Sequence, residues 1–392
     1  MKKTILIVLI ASGSLFGQKK QKMSELIDQQ FNFAAEQYGV LARNVPPDVM
    51  PKTFDYVTNK VETSDTEWWC SGFYPGSLLY IYEYTKNPDI KTEAEKRLAI
   101  LEKEKHYTGN HDLGFMMYCS FGNAYRLFHK PEDKATIDTS AMSLATRYRP
   151  SIKAIQSWDS YKTLKCPVII DNMMNLEMLC WVSDNGGDKK FKEIAITHAN
   201  TTLKTHFRAD NSSYHLVDYD LQTGKIIKKM TWQGLADSSA WARGQGWGLY
   251  GYTMMYRFTK DKNYLEQAKK IAAFLINHPN LPEDKIPFWD YNAPNTPTQY
   301  RDASAGALIA SALLELGQYS KGEDKKLYVS TAETMVRSLA SDKYRAKLGE
   351  NGGFLLLHSV GNLPNKTEID APLTYADYYY LEALARYKKW YL

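Results

Sequence analysis

Apolar residues recur at three- and four-residue spacing along most of the chain, which is the period of an amphipathic helix. About twelve such stretches are separated by helix breakers such as Pro88, Pro131 and Gly322. Their predicted starts are near Met23, Trp69, Lys91, Asp112, Ala135, Asp171, Lys190, Ala240, Asn263, Asp302, Lys325 and Thr374. No Pro- or Gly-rich linker divides them, so we predict a single helical domain over residues 18–392.

Strand-like alternation is confined to short pieces. In the clearest one, residues 213–219 and 226–232 alternate apolar and polar side chains around a turn at 222–225. This pattern is typical of a β-hairpin. We therefore expect an all-α fold with short β-hairpins at its edge.

Every other predicted helix has a chemically conspicuous residue near its start. The six are Trp69, Asp112, Asp171, Arg243, Asp302 and Tyr375. Six helical hairpins with parallel inner helices would bring these starts to one rim, which describes an (α/α)6 barrel. Free N–H groups at helix N-termini favour anions such as carboxylates. The alternative is that the aspartates are ordinary N-caps, a position that Asp prefers.

Composition narrows the possible partners. The formal net charge is +5 and is dispersed, which argues against a nucleic-acid partner. None of the four cysteines (Cys70, Cys119, Cys166 and Cys180) forms a CxxC pair, so we expect buried free thiols and no zinc or redox motif. The 28 tyrosines and 9 tryptophans offer faces that stack on sugars, but helical cores also consume aromatic residues. By itself the aromatic count favours the core.

The first seventeen residues read as a secretory signal peptide. Lys2 and Lys3 precede an apolar stretch from Ile5 to Ala11, and small residues follow up to Gly17. The apolar stretch is far shorter than the roughly 20 residues that span a bilayer. We expect export, to the periplasm or alternatively outside the cell, and a mature chain without a membrane anchor. The oligomeric state is left open.

Familiar metal and nucleotide motifs do not explain this sequence. It contains no HExxH, and its eight histidines are scattered. The segment 246–251 matches GxGxxG, but no strand precedes it and its aromatic residues would block a pyrophosphate. We interpret those glycines as close helix packing, and we expect neither a metal nor a cofactor.

Two aspartates have the surroundings that sugar hydrolysis requires. Asp112 lies in His-Asp-Leu-Gly-Phe, and Asp171 lies in Ile-Ile-Asp-Asn-Met-Met-Asn. Glycoside hydrolysis commonly uses one protonated and one ionised carboxyl group. The apolar neighbours of Asp171 should desolvate it and raise its pKa, as a general acid requires.

The sequence resembles the unsaturated glucuronyl hydrolases, family 88 of the glycoside hydrolases, from about Trp68 to Glu382. The motifs that carry the resemblance are Trp69-Cys-Ser-Gly-Phe-Tyr-Pro-Gly, His111-Asp-Leu-Gly-Phe, Ser157-Trp-Asp, Ile170-Asp-Asn-Met-Met-Asn-Leu, Trp241-Ala-Arg-Gly-Gln-Gly-Trp, Phe288-Trp-Asp, Arg301-Asp-Ala-Ser-Ala and Tyr375-Ala-Asp-Tyr. That family has the (α/α)6 barrel fold, in agreement with the twelve predicted helices.

The resemblance also implies roles for individual residues. Asp171 falls on the general acid/base, and Asp112 falls on the second carboxylate, which holds the sugar. The implied substrate-binding positions are Gln233, Arg243, Trp247 and His215 for the uronate, Trp69, Phe73 and Trp158 for an aromatic wall, His111 beside Asp112, and Tyr378 on the same rim. The planar fork of Arg243 suits the substrate carboxylate. Trp241 fits either the site or the core.

The implied reaction removes the 4,5-unsaturated uronic acid that polysaccharide lyases leave at the non-reducing end of oligosaccharides. Asp171 would protonate C4, and water would add at C5. An unsaturated rhamnogalacturonyl hydrolase acting on pectin fragments is the nearest alternative. A non-catalytic sugar-binding barrel should have lost a carboxylate, and a sugar epimerase would need a histidine pair that we cannot place.

The polysaccharide that supplies the substrate stays open. Some glycosaminoglycan-acting members of the family have a Ser- and Lys-containing sulfate-binding stretch after the late hairpin. Residues 358–370 depart from that pattern while keeping Ser359 and Lys366. Ulvan and glycosaminoglycan disaccharides are both candidates, and the departure slightly favours ulvan.

Overall fold

The computed structural model describes residues 21–392, in which twelve helical segments alternate between an outer and an inner ring. The outer helices are α1 (Met23–Asn44), α3 (Pro88–Leu101), α6 (Pro131–Ala145), α8 (Lys190–Thr205), α10 (Lys262–Asn277) and α12 (Gly322–Leu339). The inner helices are α2 (Phe73–Thr85), α4 (Leu113–Met117) continued by a π-helical turn (Tyr118–Gly122) and α5 (Asn123–Phe128), α7 (Asn172–Asp184), α9 (Ala242–Thr259), α11 (Ala303–Gln318) and α13 (Thr374–Tyr391). Two 3₁₀ turns span Glu102–His106 and Asn351–Gly353.

The burial of each helix matches its ring. The outer helix α10 buries one face, whereas every residue of α11 from Ala303 to Gly317 is buried. A helix that is apolar all round belongs inside a fold, and one with an apolar stripe covers it. The inner ring closes because α13 packs against both α11 and α2. The predicted (α/α)6 barrel is thus confirmed, and each helix begins within about one turn of its predicted start.

All nine strands lie in connections that lead from an outer helix into the next inner helix. They are β1 (Met50–Asp55), β2 (Lys60–Ser64), β3 (Tyr148–Arg149), β4 (Ala154–Ile155), β5 (Pro167–Ile169), β6 (Leu216–Tyr219), β7 (Ile226–Met230), β8 (Ser359–Asn362) and β9 (Thr367–Ala371). β1–β2, β3–β4 and β8–β9 pair antiparallel, and β6 lies between β5 and β7. The strands therefore stand at the rim formed by the inner-helix N-termini.

The predicted hairpin at 213–232 is observed as β6–β7, while its third strand β5 was not predicted. The glycines of the GxGxxG segment lie inside α9, as expected. A Cβ atom on Gly246 would lie 2.8 Å from Leu308 Cδ2, and one on Gly251 would lie 2.5 Å from Met173 Cβ. These glycines therefore serve close packing against α11 and α7.

All four cysteines are free thiols, three of them buried. No helix within residues 21–392 is long and apolar enough to cross a membrane. In the same range, no group of three or more His, Cys, Asp or Glu side chains is arranged to hold a metal ion. The predicted signal peptide at 1–17 lies outside the described residues.

Candidate active site

Asp112 and Asp171 stand immediately before α4 and α7, at the rim of the inner ring. Neither side chain caps its own helix. Asp302, which stands before α11, instead accepts hydrogen bonds from the backbone N–H groups of Ser304 and Ala305 at 3.0 and 3.3 Å. The N-cap interpretation therefore holds for Asp302, while the other two carboxylates are free for another role.

Burial dominates the electrostatics of Asp171. The residues before it, Val168 and Ile170, are fully buried. Burial raises the pKa of Asp171 to about 7, although the guanidinium of Arg243 and the indole of Trp247 partly lower it. A carboxyl group with a pKa near neutrality can give up a proton and take one back at the pH of the reaction.

His215 is held beside Asp171 by the three-stranded sheet. The carbonyl of His215 accepts a hydrogen bond from the N–H of Ile170, and its Nδ1 accepts from the N–H groups of Trp232 and Gln233 at 3.2 and 3.1 Å. Burial lowers the pKa of His215 well below its ordinary value, so the ring is neutral. The proton must therefore sit on Nε2, which lies 3.6 Å from Asp171 Oδ2.

Asp112 is electrostatically coupled to Asp171. Burial and the charge of Asp171 raise its pKa well above the usual range, against a lowering by Arg147. His111 Nε2 lies 3.3 Å from Asp112 Oδ1, and burial lowers the pKa of His111 to about 3. Because two coupled carboxyl groups resist ionising together, the pair retains a proton near neutral pH.

Buried polar atoms without a partner converge on this rim. Four are Asp171 Oδ2, His215 Nε2, Trp247 Nε1 and Arg243 Nε. Buried polar groups in folded proteins normally have hydrogen-bond partners, so each exception needs an explanation. A polyhydroxylated substrate with a carboxylate would supply the missing donors and acceptors.

Arg243 is placed differently from what we expected. Its Nη1 donates to Asp302 Oδ2 at 3.2 Å and to the carbonyl of Val360 at 2.6 Å, and its Nη2 donates to the carbonyl of Gly361 at 2.8 Å. Gln233 Nε2 donates to the same Gly361 carbonyl at 3.1 Å. The two Nη groups of Arg243, which we expected to bind the substrate carboxylate, are thus hydrogen-bonded to the protein. Of the guanidinium nitrogens, Nε alone is without a partner.

Comparison with known proteins identifies the family. No family model matches the chain. The chain is 43% identical over 353 residues to an unsaturated glucuronyl hydrolase of Formosa agariphila, covering 89% of this chain and 86% of that protein. It is 32% identical to an unsaturated chondroitin disaccharide hydrolase of Streptococcus pyogenes, covering 99% and 98%. The chain belongs to the unsaturated glucuronyl hydrolases.

A solved structure supports the same assignment. An unsaturated glucuronyl hydrolase specific for heparin superposes with a TM-score of 0.90 at 44% identity, covering 93% of this chain and 98% of that one. The chain is therefore a glycoside hydrolase, as predicted. The similarities support the glucuronyl branch and not the rhamnogalacturonyl alternative.

The aromatic wall of this unsaturated glucuronyl hydrolase is built in two layers. Trp69 is partly exposed and packs against Tyr375, with ring centroids 4.9 Å apart. Phe73 is fully buried behind it, in contact with Phe115. Phe73 therefore supports Trp69 rather than facing a substrate, which differs from its expected place on the wall.

Tyr378 does not lie at the rim. Its hydroxyl accepts a hydrogen bond from Asn123 Nδ2 at 3.1 Å, and the side chain lines a cavity deeper in the barrel. The rim tyrosine of α13 is Tyr375, one turn earlier, over which the guanidinium of Arg243 lies 5.1 Å from the ring centroid. Tyr375 was recognised as a helix start and missed as a site residue.

Two tryptophans complete the rim. Trp158 is partly exposed and lies near Trp232, with ring centroids 6.1 Å apart. Trp232 was missed, although its place at the end of the predicted hairpin was a usable signal. Trp241, which we left undecided, stacks on His215 at 4.3 Å and lies under the guanidinium of Arg243. It is 2% exposed, so it belongs to the support of the site.

Proposed function

We propose that Asp171 is the general acid and base with which this enzyme removes a 4,5-unsaturated uronic acid from the non-reducing end of lyase-generated oligosaccharides. One observation carries the assignment. The carboxyl group of Asp171 is buried, has a pKa of about 7, and has an oxygen without a partner beside two N–H groups that also lack partners. This combination suits proton transfer to a bound ligand.

The double bond between C4 and C5 is an enol ether, because C5 carries the ring oxygen. Asp171 protonates C4, and the positive charge is shared between C5 and the ring oxygen. Water then adds at C5 and gives its proton to the Asp171 carboxylate, which restores the acid. The resulting hemiketal opens, and the link to the next sugar is lost. No covalent sugar–enzyme intermediate is required.

The neighbours of Asp171 have distinct tasks in this proposal. Neutral His215 presents Nε2–H to Oδ2 and so favours the ionised carboxylate that accepts the proton of water. Asp112 holds sugar hydroxyls, and its carboxyl group is electrostatically coupled to that of Asp171. Arg243 holds the β8–β9 hairpin at the rim, and its Nε is the donor left for the substrate. The indole N–H of Trp247 acts on the carboxyl group of Asp171.

The uronate chromophore provides the test. Purified enzyme with a lyase digest should abolish the ultraviolet absorbance of the unsaturated uronate, and Asp171→Asn should not. Asp377→Asn is a matched control, because burial also raises the pKa of Asp377 to about 7 while its partners are internal: Tyr38 and the N–H groups of Leu355 and Leu356. Near-normal turnover by Asp171→Asn would overturn the assignment.

We further propose a glycosaminoglycan or ulvan disaccharide as the substrate. Relatives named for chondroitin disaccharides and for heparin favour the first. In favour of ulvan, residues 358–370 depart from the sulfate-binding pattern of glycosaminoglycan-acting members, and the Ser359 that they retain is fully buried. Parallel rates on lyase digests of chondroitin sulfate, heparin and ulvan would decide between them.

We also propose export, which rests on the charged start and short apolar stretch of residues 1–17. N-terminal sequencing of the protein recovered from the periplasmic fraction would test it. A chain retained in the cytoplasm with Met1 intact would refute it.

A further inference from the structure

A second cavity opens at the opposite end of the barrel from Asp112 and Asp171. It has a volume of about 470 Å³, and most of its lining residues lie near the C-terminal ends of inner helices, among them Tyr84, Arg386 and Trp390. The cavity extends inward as far as Gly114 and Met174, in the first turns of α4 and α7. The connections from inner to outer helices are short at this end, as at residues 86–87 and 129–130. The end opposite the strands is therefore left open.

A closed ring of aromatic contacts separates this cavity from the active site. Phe73 contacts Phe115, Phe115 contacts Trp247, Trp247 contacts Tyr379, and Tyr379 contacts Phe73, with ring centroids 5.1–5.9 Å apart. Phe115 and Tyr379 also line the cavity. Asp112 and Asp171 are not among the residues that line the cavity, so these aromatic rings stand between its inner end and the rim.

The charges in the cavity wall are paired with one another. Arg126 binds both carboxylate oxygens of Glu83 at 2.9 and 2.7 Å, and Arg257 bonds Glu177 at 2.6 Å. Arg386 lies 3.4 Å from Glu382 and 3.1 Å from Glu315, which also binds Arg257. The three arginines of the wall are thus paired with Glu83, Glu177 and Glu382, which line the cavity, and with Glu315, which stands behind the wall. Lys389 is a fourth cationic lining residue. Such a wall offers donors and acceptors without a strong preference for an anion.

The aromatic part of the wall has free polar groups. Trp181 contacts Tyr118 and Tyr125, with ring centroids 5.9 and 5.4 Å apart. The hydroxyl groups of both tyrosines and the indole N–H groups of Trp181 and Trp390 have no hydrogen-bond partner among residues 21–392. Tyr118 begins the π-helical turn in the inner ring, and such turns are frequent at functional sites.

From these features we infer that the cavity is a second binding site, for a neutral mono- or disaccharide. Its volume is within the usual range of small-ligand pockets. Aromatic faces beside paired arginine and glutamate groups suit a ring with an apolar face and hydroxyl edges. Because the three arginines of the wall already bind carboxylates of the protein, a neutral sugar fits better than a uronate or a sulfated sugar. The site is separate from the proposed catalytic one, and its occupant is not hydrolysed there.

Calorimetric titration of the full-length protein with neutral sugars, including rhamnose, glucose, N-acetylglucosamine and lactose, tests this inference. At least one should bind, and Trp390→Ala should weaken that binding roughly threefold to tenfold through loss of one aromatic contact. Trp390→Phe and Tyr125→Phe, which keep the rings, should give smaller losses. Tyr300→Ala, an exposed tyrosine outside the cavity, should leave binding unchanged.

Variants in the active site and in the cavity, on either side of the four contacting aromatic residues, locate the bound sugar. Asp112→Asn should keep the binding, whereas Trp390→Ala should lose affinity and retain uronate hydrolysis. Absence of binding by every sugar up to its solubility limit would overturn the inference. So would binding that Asp112→Asn abolishes and the cavity variants leave intact, since that sugar would occupy the active site.

Discussion

Replacement of Arg243 by lysine should destabilise the fold and impair catalysis together. Lysine keeps the charge, but a single ammonium group cannot serve Asp302, Val360 and Gly361 in the geometry of the guanidinium. Asp302 is fully buried, so weakening its pairing with Arg243 leaves a carboxylate poorly compensated. Breaking a buried pair completely costs about 3–5 kcal/mol, and a lysine that restores part of it should cost about 2–3 kcal/mol.

The expected loss of activity in Arg243→Lys follows from the contact of Arg243 with the β8–β9 hairpin. Arg243 and Gln233 both bind the carbonyl of Gly361, so the variant loosens β8–β9 over the site. A loss of about 1.4 kcal/mol in the transition state corresponds to about a tenfold fall in kcat/KM. We therefore expect at least about a tenfold fall in kcat/KM, measured with the uronate chromophore, beside a lower midpoint of urea unfolding.

Arg126→Lys is the matched control. Arg126 also pairs with a carboxylate, binding both oxygens of Glu83, but its side chain is 41% exposed. Exposed pairs contribute about 0–1 kcal/mol, so this variant should unfold at nearly the wild-type urea concentration. If Arg243→Lys were as stable and as active as Arg126→Lys, the proposed support of the hairpin by Arg243 would be wrong.

Three further predictions concern the carboxylates. Asp171→Asn should fold and lose about a thousandfold or more in turnover, within the ~10²–10⁴-fold range of general acid–base catalysis. Asp112→Asn should also be severely impaired, with a raised KM as well as a lowered kcat, because we propose that Asp112 holds the sugar. Between about pH 4 and pH 7 the folded protein keeps the Asp171 proton that the unfolded chain releases. The contribution of Asp171 to the free energy of unfolding should therefore fall as pH rises, by on the order of 4 kcal/mol relative to Asp171→Asn.

Urea unfolding across that pH range tests the last prediction. Asp171→Asn cannot ionise, so it should lose this slope and be more stable than the wild type at pH 8. The slope of the free energy of unfolding against pH is compared between the two proteins. If it were the same for the wild type and for Asp171→Asn between pH 4 and pH 7, a raised pKa for Asp171 would be contradicted. If the KM of Asp112→Asn were equal to the wild-type value, the proposal that Asp112 holds the sugar would be wrong.

The period of apolar residues was sufficient to predict the barrel, because the pattern of each helix depends only on residues within that helix. The start of α7 was predicted at Asp171 and is observed at Asn172, and the β6–β7 hairpin was found from alternation alone. Strand β5 was missed because three residues are too few to show a period. Its pairing with β6 is nevertheless what places His215 next to Asp171.

The sequence pattern did not predict how deep the aromatic residues lie along their helices. Tyr375 and Tyr378 are three residues apart on α13, so both can face the barrel interior, but Tyr378 lies about 4.5 Å deeper along the axis. A pattern of apolar positions reports which face is buried, not how deep each ring lies. The partners of Arg243 were equally out of reach, since Val360 and Gly361 are more than a hundred residues away in the chain.

The rim shows why sequence alone could not separate a catalytic aspartate from a structural one. Asp112, Asp171 and Asp302 all precede inner helices, and all three have the residue type that helix N-termini favour. The carboxylate oxygens of Asp302 accept hydrogen bonds from the backbone of α11 and from Arg243, so both oxygens have partners. Asp171 makes no capping bond and retains an oxygen without a partner, at the cost of a raised pKa. The unsatisfied carboxylate, not its position in the helix, is therefore the feature that points to catalysis.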